Sequence, residues 1–230
     1  MNNWLSIIQD WLYPPTCLVC GDPGAAGLDL CEPCADALPY NRIACPRCGL
    51  ALPTPQTAEC GRCQKHPPAF HATHALFRYE EPVRHLIHAL KFGAHYPSAR
   101  LLGSLLADAL CGLEDKPALL IPVPLHPSRY RERGFNQATE IARTLSRRLH
   151  IPLDLTSSAR VRPTQPQAEL AAEQRARNIR KAFRILKAPK ATHVAILDDV
   201  VTTGATVNEL AKVLCAAGVE RVDVWACARA

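Results

Sequence analysis

The chain has 230 residues, 48% of them apolar, 21% charged and 6% aromatic, a balance that supports a core of its own and excludes a disordered or collagen-like chain. No run approaches the roughly 18 uninterrupted apolar residues of a membrane-spanning helix, and the opening MNNWLSIIQD lacks the positive charges of a secretory signal, so a cytoplasmic protein without a transmembrane segment is expected. The net charge of +6 informs only through its placement, whereas eleven cysteines are a strong signal at once.

The chain opens on Met1 to Tyr13, where Trp4, Leu5, Ile8, Trp11 and Leu12 recur at helical spacing. An amphipathic helix over residues 1–14 is predicted, either packed on the rest of the protein or offered to a partner. Asp10 and the lack of Lys or Arg argue against a membrane surface.

Residues 15–68 form the next unit, with prolines at both edges (Pro14, Pro15, Pro67, Pro68). Eight cysteines fall here as Cys-x-x-Cys pairs: Cys17/Cys20, Cys31/Cys34, Cys45/Cys48 and Cys60/Cys63. Gaps of 10 and 11 residues between inner cysteines mark two copies of one small unit. Such a pair presents both sulfurs from one tight turn, and two turns complete a tetrahedral zinc site with no position left for water, so two structural Zn2+ ions are expected. The repeat suggests Cys17, Cys20, Cys31 and Cys34 on one ion and Cys45, Cys48, Cys60 and Cys63 on the other, with a cross-braced arrangement left open. A disulfide framework is the alternative; it needs an oxidising compartment to which nothing in the sequence directs the chain. Four basic against five acidic side chains between Cys17 and His66 match a phosphate backbone poorly, which favours scaffolding or protein contacts. Cys111, Cys215 and Cys227 lie among apolar residues and read as small core side chains.

From residue 69 onward strands alternate with amphipathic helices. A strand is predicted over His74 to Tyr79, a helix over Pro82 to Phe92 with Val83, Leu86, Ile87 and Leu90 on one face, and a second helix from about Ser98 to Leu110. Ala118 to Leu125 reads as a buried strand and Asn136 to Leu149 as a helix, with an Arg-rich loop around Pro163 and Pro166. A buried strand over His193 to Val200, a helix from Val207 to Ala217 closed by Gly218, and a last strand over Val222 to Ala228 complete the pattern of a parallel sheet covered on both faces.

The most informative stretch is VAILDDVVTTGAT, Val194 to Thr206. A buried strand delivers Asp198 and Asp199 to its carboxyl end, where open α/β sheets collect ligands. The short loop behind them, with the next helix starting near Thr206, offers backbone N–H groups and a positive helix end to a phosphate. A plainer reading makes Thr206 an N-cap and Glu209 its capping-box partner; it leaves the two carboxylates unexplained.

These thirteen residues resemble the signature of type I phosphoribosyltransferases, in which two acids and a Thr-Thr-Gly-x-Thr loop hold phosphoribosyl diphosphate (PRPP). The whole chain resembles the ComF/GntX family of competence-related proteins, which join an N-terminal zinc module to such a domain. Lys91-Phe92-Gly93, Ile121 to Gln137 and Arg162 to Asn178 add to the likeness. The resemblance implies an α/β type I phosphoribosyltransferase fold, a mainly parallel sheet flanked by helices, over residues 69–230, preceded by a double zinc ribbon. It implies that Asp198 and Asp199 bind the ribose hydroxyls and that Val201, Thr202, Thr203, Gly204, Ala205 and Thr206 wrap the 5′-phosphate, with Mg2+ bridging ligand oxygens. The loop at Val123 and Pro124 would face the diphosphate, with Arg129 or Arg133 adding charge. Arg162 leads the candidates on a closing loop, supported by Arg175 and Asn178, and Lys91-Phe92 would lie near the hood over a nitrogenous acceptor that the sequence does not identify.

Charge placement agrees: Ile121 to Lys187 carries 14 basic and 5 acidic side chains. Nucleic acid is the alternative reading of that segment. The family resemblance implies a role in DNA uptake, with single-stranded DNA and a helicase-like protein as partners, either by phosphoribosyl transfer or as a non-catalytic PRPP sensor. Cys17→Ser or Cys45→Ser is expected to release zinc and destabilise residues 1–66 without altering the PRPP pocket directly.

Overall fold

The computed structural model describes residues 14–55, 58–163 and 179–230. The helix expected at the start lies outside them except for Pro14, and so do Arg175 and Asn178. In chain order the elements are α1 (Glu32–Asp36), α2 (Gly61–Lys65), β1 (Ala72–Arg78), α3 (Val83–Gly93), α4 (Tyr96–Leu110), β2 (Leu119–Pro122), α5 (Pro127–Arg133), α6 (Gln137–Leu149), β3 (Ser158–Arg160), β4 (Phe183–Ile185), β5 (His193–Val201), α7 (Ala205–Ala216) and β6 (Arg221–Arg229).

Four strands make one parallel sheet in the order β1-β6-β5-β2. The central strands β5 and β6 are mostly apolar because both faces are covered, with exceptions at Asp198 and Asp199 near the end of β5 and Asp223 in β6. Side chains alternate along β5. Ala195 and Leu197 join Trp225 and Cys227 under α3, α4 and α6, while Val194 and Ile196 join Val222 and Val224 under α7. The predicted stripe Val83, Leu86, Ile87 and Leu90 is the buried face of α3. Asn136 caps α6, its Oδ1 accepting from Ala138 N (3.1 Å).

Three features depart from the sequence expectations. The strand at Ala118 to Leu125 is shortened to β2, since Pro122 and Pro124 cannot donate to a ladder. The polar stretch after it forms α5, and the Arg-rich region is flanked by an antiparallel pair, β3 with β4. Cys111, expected in the core, is exposed beyond α4, while Cys227 is fully buried.

The cysteine-rich segment is built twice. In each copy a Cys-x-x-Cys turn is followed by a second pair whose first cysteine, Cys31 or Cys60, caps a one-turn helix, α1 or α2. The segment lies along the free edge of β1: Asn41 N donates to Leu76 O (2.9 Å), Arg78 N to Pro39 O (2.8 Å) and Thr73 N to Pro46 O (3.2 Å). The opposite edge, β2, is covered by residues 152–154.

Candidate functional site

Asp198 and Asp199 lie within β5 near its carboxyl end, and the strand's alternation sends them to different surroundings. Asp199 is buried on the side of α3 and α6, where its Oδ2 pairs with Lys91 Nζ and its Oδ1 accepts from Gln137 Nε2 (3.3 Å). Burial alone would raise its pKa, but the Lys91 charge and these hydrogen bonds outweigh that and hold the carboxyl below its ordinary value. Asp198 is half-buried on the other face, its Oδ1 accepting from Asp199 N (3.0 Å). Burial and then the adjacent Asp199 charge push its pKa well above the ordinary value. The two carboxyls, on neighbouring residues of one strand, are thus shifted in opposite directions.

Behind the pair, residues Val201 to Thr203 lead into α7 through Gly204, whose φ of 79° is a left-handed conformation that a side chain would strain. Gly204, not Thr206, is the N-cap, and the first amide of the helix, Ala205 N, donates to Thr203 Oγ1 (3.3 Å). The capping-box reading fails on its other member too, since Glu209 Oε1 accepts from Lys181 N (2.6 Å). The start of α7 borders a shallow groove lined by Asp198, Val201, Thr202, Gly204, Ala205 and Thr206.

Val123 continues the sheet: its N–H donates to Leu197 O (2.8 Å) and its carbonyl accepts from Asn136 Nδ2 (2.9 Å). The residue after it, Pro124, has no N–H, so the donors expected beyond β2 fall to Leu125 and His126. Arg129 and Arg133 line one cavity of about 180 Å³ with Lys91, Phe92 and Phe135. Arg129 pairs with Glu132 (2.9 Å), and Arg133 lies 5.6 Å over the ring of Phe92, itself 70% exposed. Arg162 Nη1 donates to Arg180 O (2.7 Å).

Sequence reasoning missed three neighbours of the acid pair. Lys91 was expected over the acceptor and instead pairs with Asp199. Gln137, the residue after the α6 cap, had no signal beyond its place in Arg133–Gln137. Arg160 on β3 stacks over Phe183 (5.7 Å), and its charge reaches Asp198; its strand alternation with Arg162 was the available clue.

The eight paired cysteines gather as two tetrads, Cys17, Cys20, Cys31 and Cys34, and Cys45, Cys48, Cys60 and Cys63, the sulfurs of each within 4.8 Å of one another. Pairing is therefore sequential, not cross-braced. Four convergent sulfurs per site fit a structural zinc ion.

A parallel sheet with paired acids and a Gly-containing loop at the end of a central strand, joined to two tetracysteine sites, defines a phosphoribosyltransferase-fold protein carrying a double zinc ribbon. Residues 135–229 match the phosphoribosyl transferase domain and residues 8–64 the double zinc ribbon domain. DNA utilization protein YhgH of Shigella flexneri is 38% identical, the match covering 94% of this chain and 97% of that protein. Competence protein F of Haemophilus influenzae is 36% identical over 93% and 96%, and competence protein ComFC of Streptococcus pneumoniae 25% over 87% and 87%. The chain belongs to the ComF/GntX family.

Proposed function

We propose that this protein binds PRPP at the carboxyl end of β5 and transfers its phosphoribosyl group to a nitrogenous acceptor, in the cytoplasm and in the service of DNA uptake. The observation that carries the reading is the Asp198–Asp199 pair near the carboxyl end of β5, Asp199 held by Lys91 and Gln137, directly before the Gly204 turn into α7. In this reading the chain divides into a helix (1–14), a zinc module (15–68) and a transferase domain (69–230). The amides of Thr202 to Thr206 take the 5′-phosphate. Asp199, fixed by Lys91 and Gln137, and Asp198 beside it accept hydrogen bonds from the ribose hydroxyls and favour the positive charge that develops on the sugar.

Arg129 and Arg133, in the cavity beside Lys91, stabilise the departing diphosphate together with the donors after Pro124. Mg2+, when bound with the ligand, supplies further charge to that leaving group. Arg162 belongs to the segment that closes over the ligand and excludes water.

A second reading keeps the pocket as a PRPP sensor and gives the work to single-stranded DNA and a helicase-like partner. The 14 basic side chains between Ile121 and Lys187 favour it, as do the names of the relatives. Calorimetry separates the two. PRPP with Mg2+ binds in preference to ribose 5-phosphate, and Asp198→Asn with Asp199→Asn abolishes binding while circular dichroism is unchanged. Unaltered PRPP affinity in that double variant would overturn the site. No turnover of PRPP with any acceptor, together with steeply salt-dependent DNA binding, would favour the second reading.

A further inference from the structure

The loop before α7 is held from behind by the second cysteine cluster. Arg229, at the end of β6 and only 5% exposed, sets the two hydrogens of Nη1 among the carbonyls of Val201 (3.0 Å), Thr202 and Ala230, and donates through Nε to Cys48 O (3.0 Å). Arg62 on α2 donates through Nη2 to Thr203 O (2.8 Å). Three successive carbonyls are thus fixed by guanidinium groups. Because a trans peptide is planar with its C=O and N–H antiparallel, pinning the carbonyls of Val201, Thr202 and Thr203 turns the N–H groups of Thr202, Thr203 and Gly204 to the opposite side. Both braces start at the metal site, since Cys48 is one of its sulfurs and Arg62 stands between Cys60 and Cys63. Gly49 lets this cluster press on the sheet, because a Cβ there would lie 2.8 Å from the Cγ2 of Thr73.

We propose that Arg62 and Arg229 are positioning residues for the anion loop, and that metal in the Cys45/Cys48/Cys60/Cys63 site, unlike metal in the first cluster, sets whether that loop is formed. The inference deepens the PRPP reading and rests on it for the identity of the anion. It differs from the sequence expectation, under which zinc loss leaves the pocket without direct alteration. The first cluster is anchored elsewhere, through Asp29 to Arg100 on α4 and through Leu30 and Leu38 in the core under α3 and α4.

The test compares zinc-loaded full-length protein with Cys63→Ser, Cys34→Ser, Arg62→Ala and Arg62→Lys. The measurements are zinc content, ligand-free amide exchange of residues 200–206, and PRPP affinity by calorimetry with Mg2+. Each cysteine variant loses one zinc. Cys63→Ser speeds loop exchange and weakens PRPP by about tenfold or more, the scale of losing hydrogen bonds to charged donors, while Cys34→Ser changes neither. Arg62→Ala keeps both zinc ions, speeds exchange and weakens PRPP, and Arg62→Lys restores part of the affinity by returning one charged donor. Equal loop exchange in Cys63→Ser and Cys34→Ser overturns the brace whether or not PRPP binds. Faster exchange in Cys63→Ser alone, in a protein that binds no PRPP even unmutated, overturns the ligand reading and leaves the brace standing.

Discussion

The two cysteine clusters share a ligand set, a spacing and a one-turn helix, yet they sit in different company. Cys17 and Cys31 belong to the main core with Phe77, Leu86 and Leu102, whereas Cys45, Cys60 and Cys63 form a small cluster of their own, tied to β1 and to the loop before α7. A duplicated motif therefore need not have a duplicated job; what each copy touches decides what its metal stabilises. Asp198 and Asp199 repeat the lesson across one peptide bond, where identical side chains face opposite sides of a strand and acquire opposite proton affinities.

The largest expected effect breaks or confirms the contrast directly. Zinc binding to small structural sites carries apparent free energies on the order of 10 kcal/mol. Cys17→Ser, which takes the metal from the site merged with the core, should lower the denaturant midpoint of global unfolding more than Cys60→Ser, in a protein that stays folded without denaturant. Equal shifts in the two variants would make the clusters equivalent and remove the comparison.

A smaller effect sharpens the acid-pair version. The folded-state pKa of Asp198 is raised, so between its ordinary value, near 3.8, and its folded value the native state holds a proton that the unfolded chain has released. Its contribution to stability is full below 3.8 and declines as pH rises through that window. Asp198→Asn should flatten this decline and leave the variant more stable than its parent at neutral pH. For Asp199 the sign reverses, because its folded pKa is depressed: stability is present above its ordinary value and lost as pH falls below it. Unfolding curves of the single variants at several pH values read both slopes, and parallel slopes would contradict the opposed environments.

The smallest effect concerns the link between Asp29 and Arg100, whose arginine is largely exposed. Arg100→Ala should change stability by less than about 1 kcal/mol, as exposed pairs do. A larger loss in thermal unfolding would mean that charge, not apolar packing around Leu30 and Leu38, seats the first cluster.

Much of this framework is legible in the chain itself. Eight cysteines in four regular pairs announce the two sites, and the stripe of Val83, Leu86, Ile87 and Leu90 announces α3, because both patterns follow from local geometry. The short polar α5 escapes because Pro127–Arg133 has no apolar period, and the three-residue strands β3 and β4 are too brief to alternate visibly. Thr206 and Glu209 mislead because a capping box is a pattern of spacing, while Gly204 opens the helix earlier and Lys181 claims the glutamate. Lys91, Gln137 and Arg229 are beyond reach for another reason, since their partners are distant in sequence. Gln137 meets Asp199 from 62 positions away, and Arg229 meets Cys48 from 181 positions away through the packing of two modules.

The position of the cysteine-rich segment along β1 has a consequence for handling the protein. Stripped of residues 1–68, the remainder would present a bare ladder of amides along its outermost strand, ready to zip onto a neighbouring copy. Truncation or thorough demetallation should therefore show itself first as turbidity and oligomers in light scattering, before any loss of helical signal.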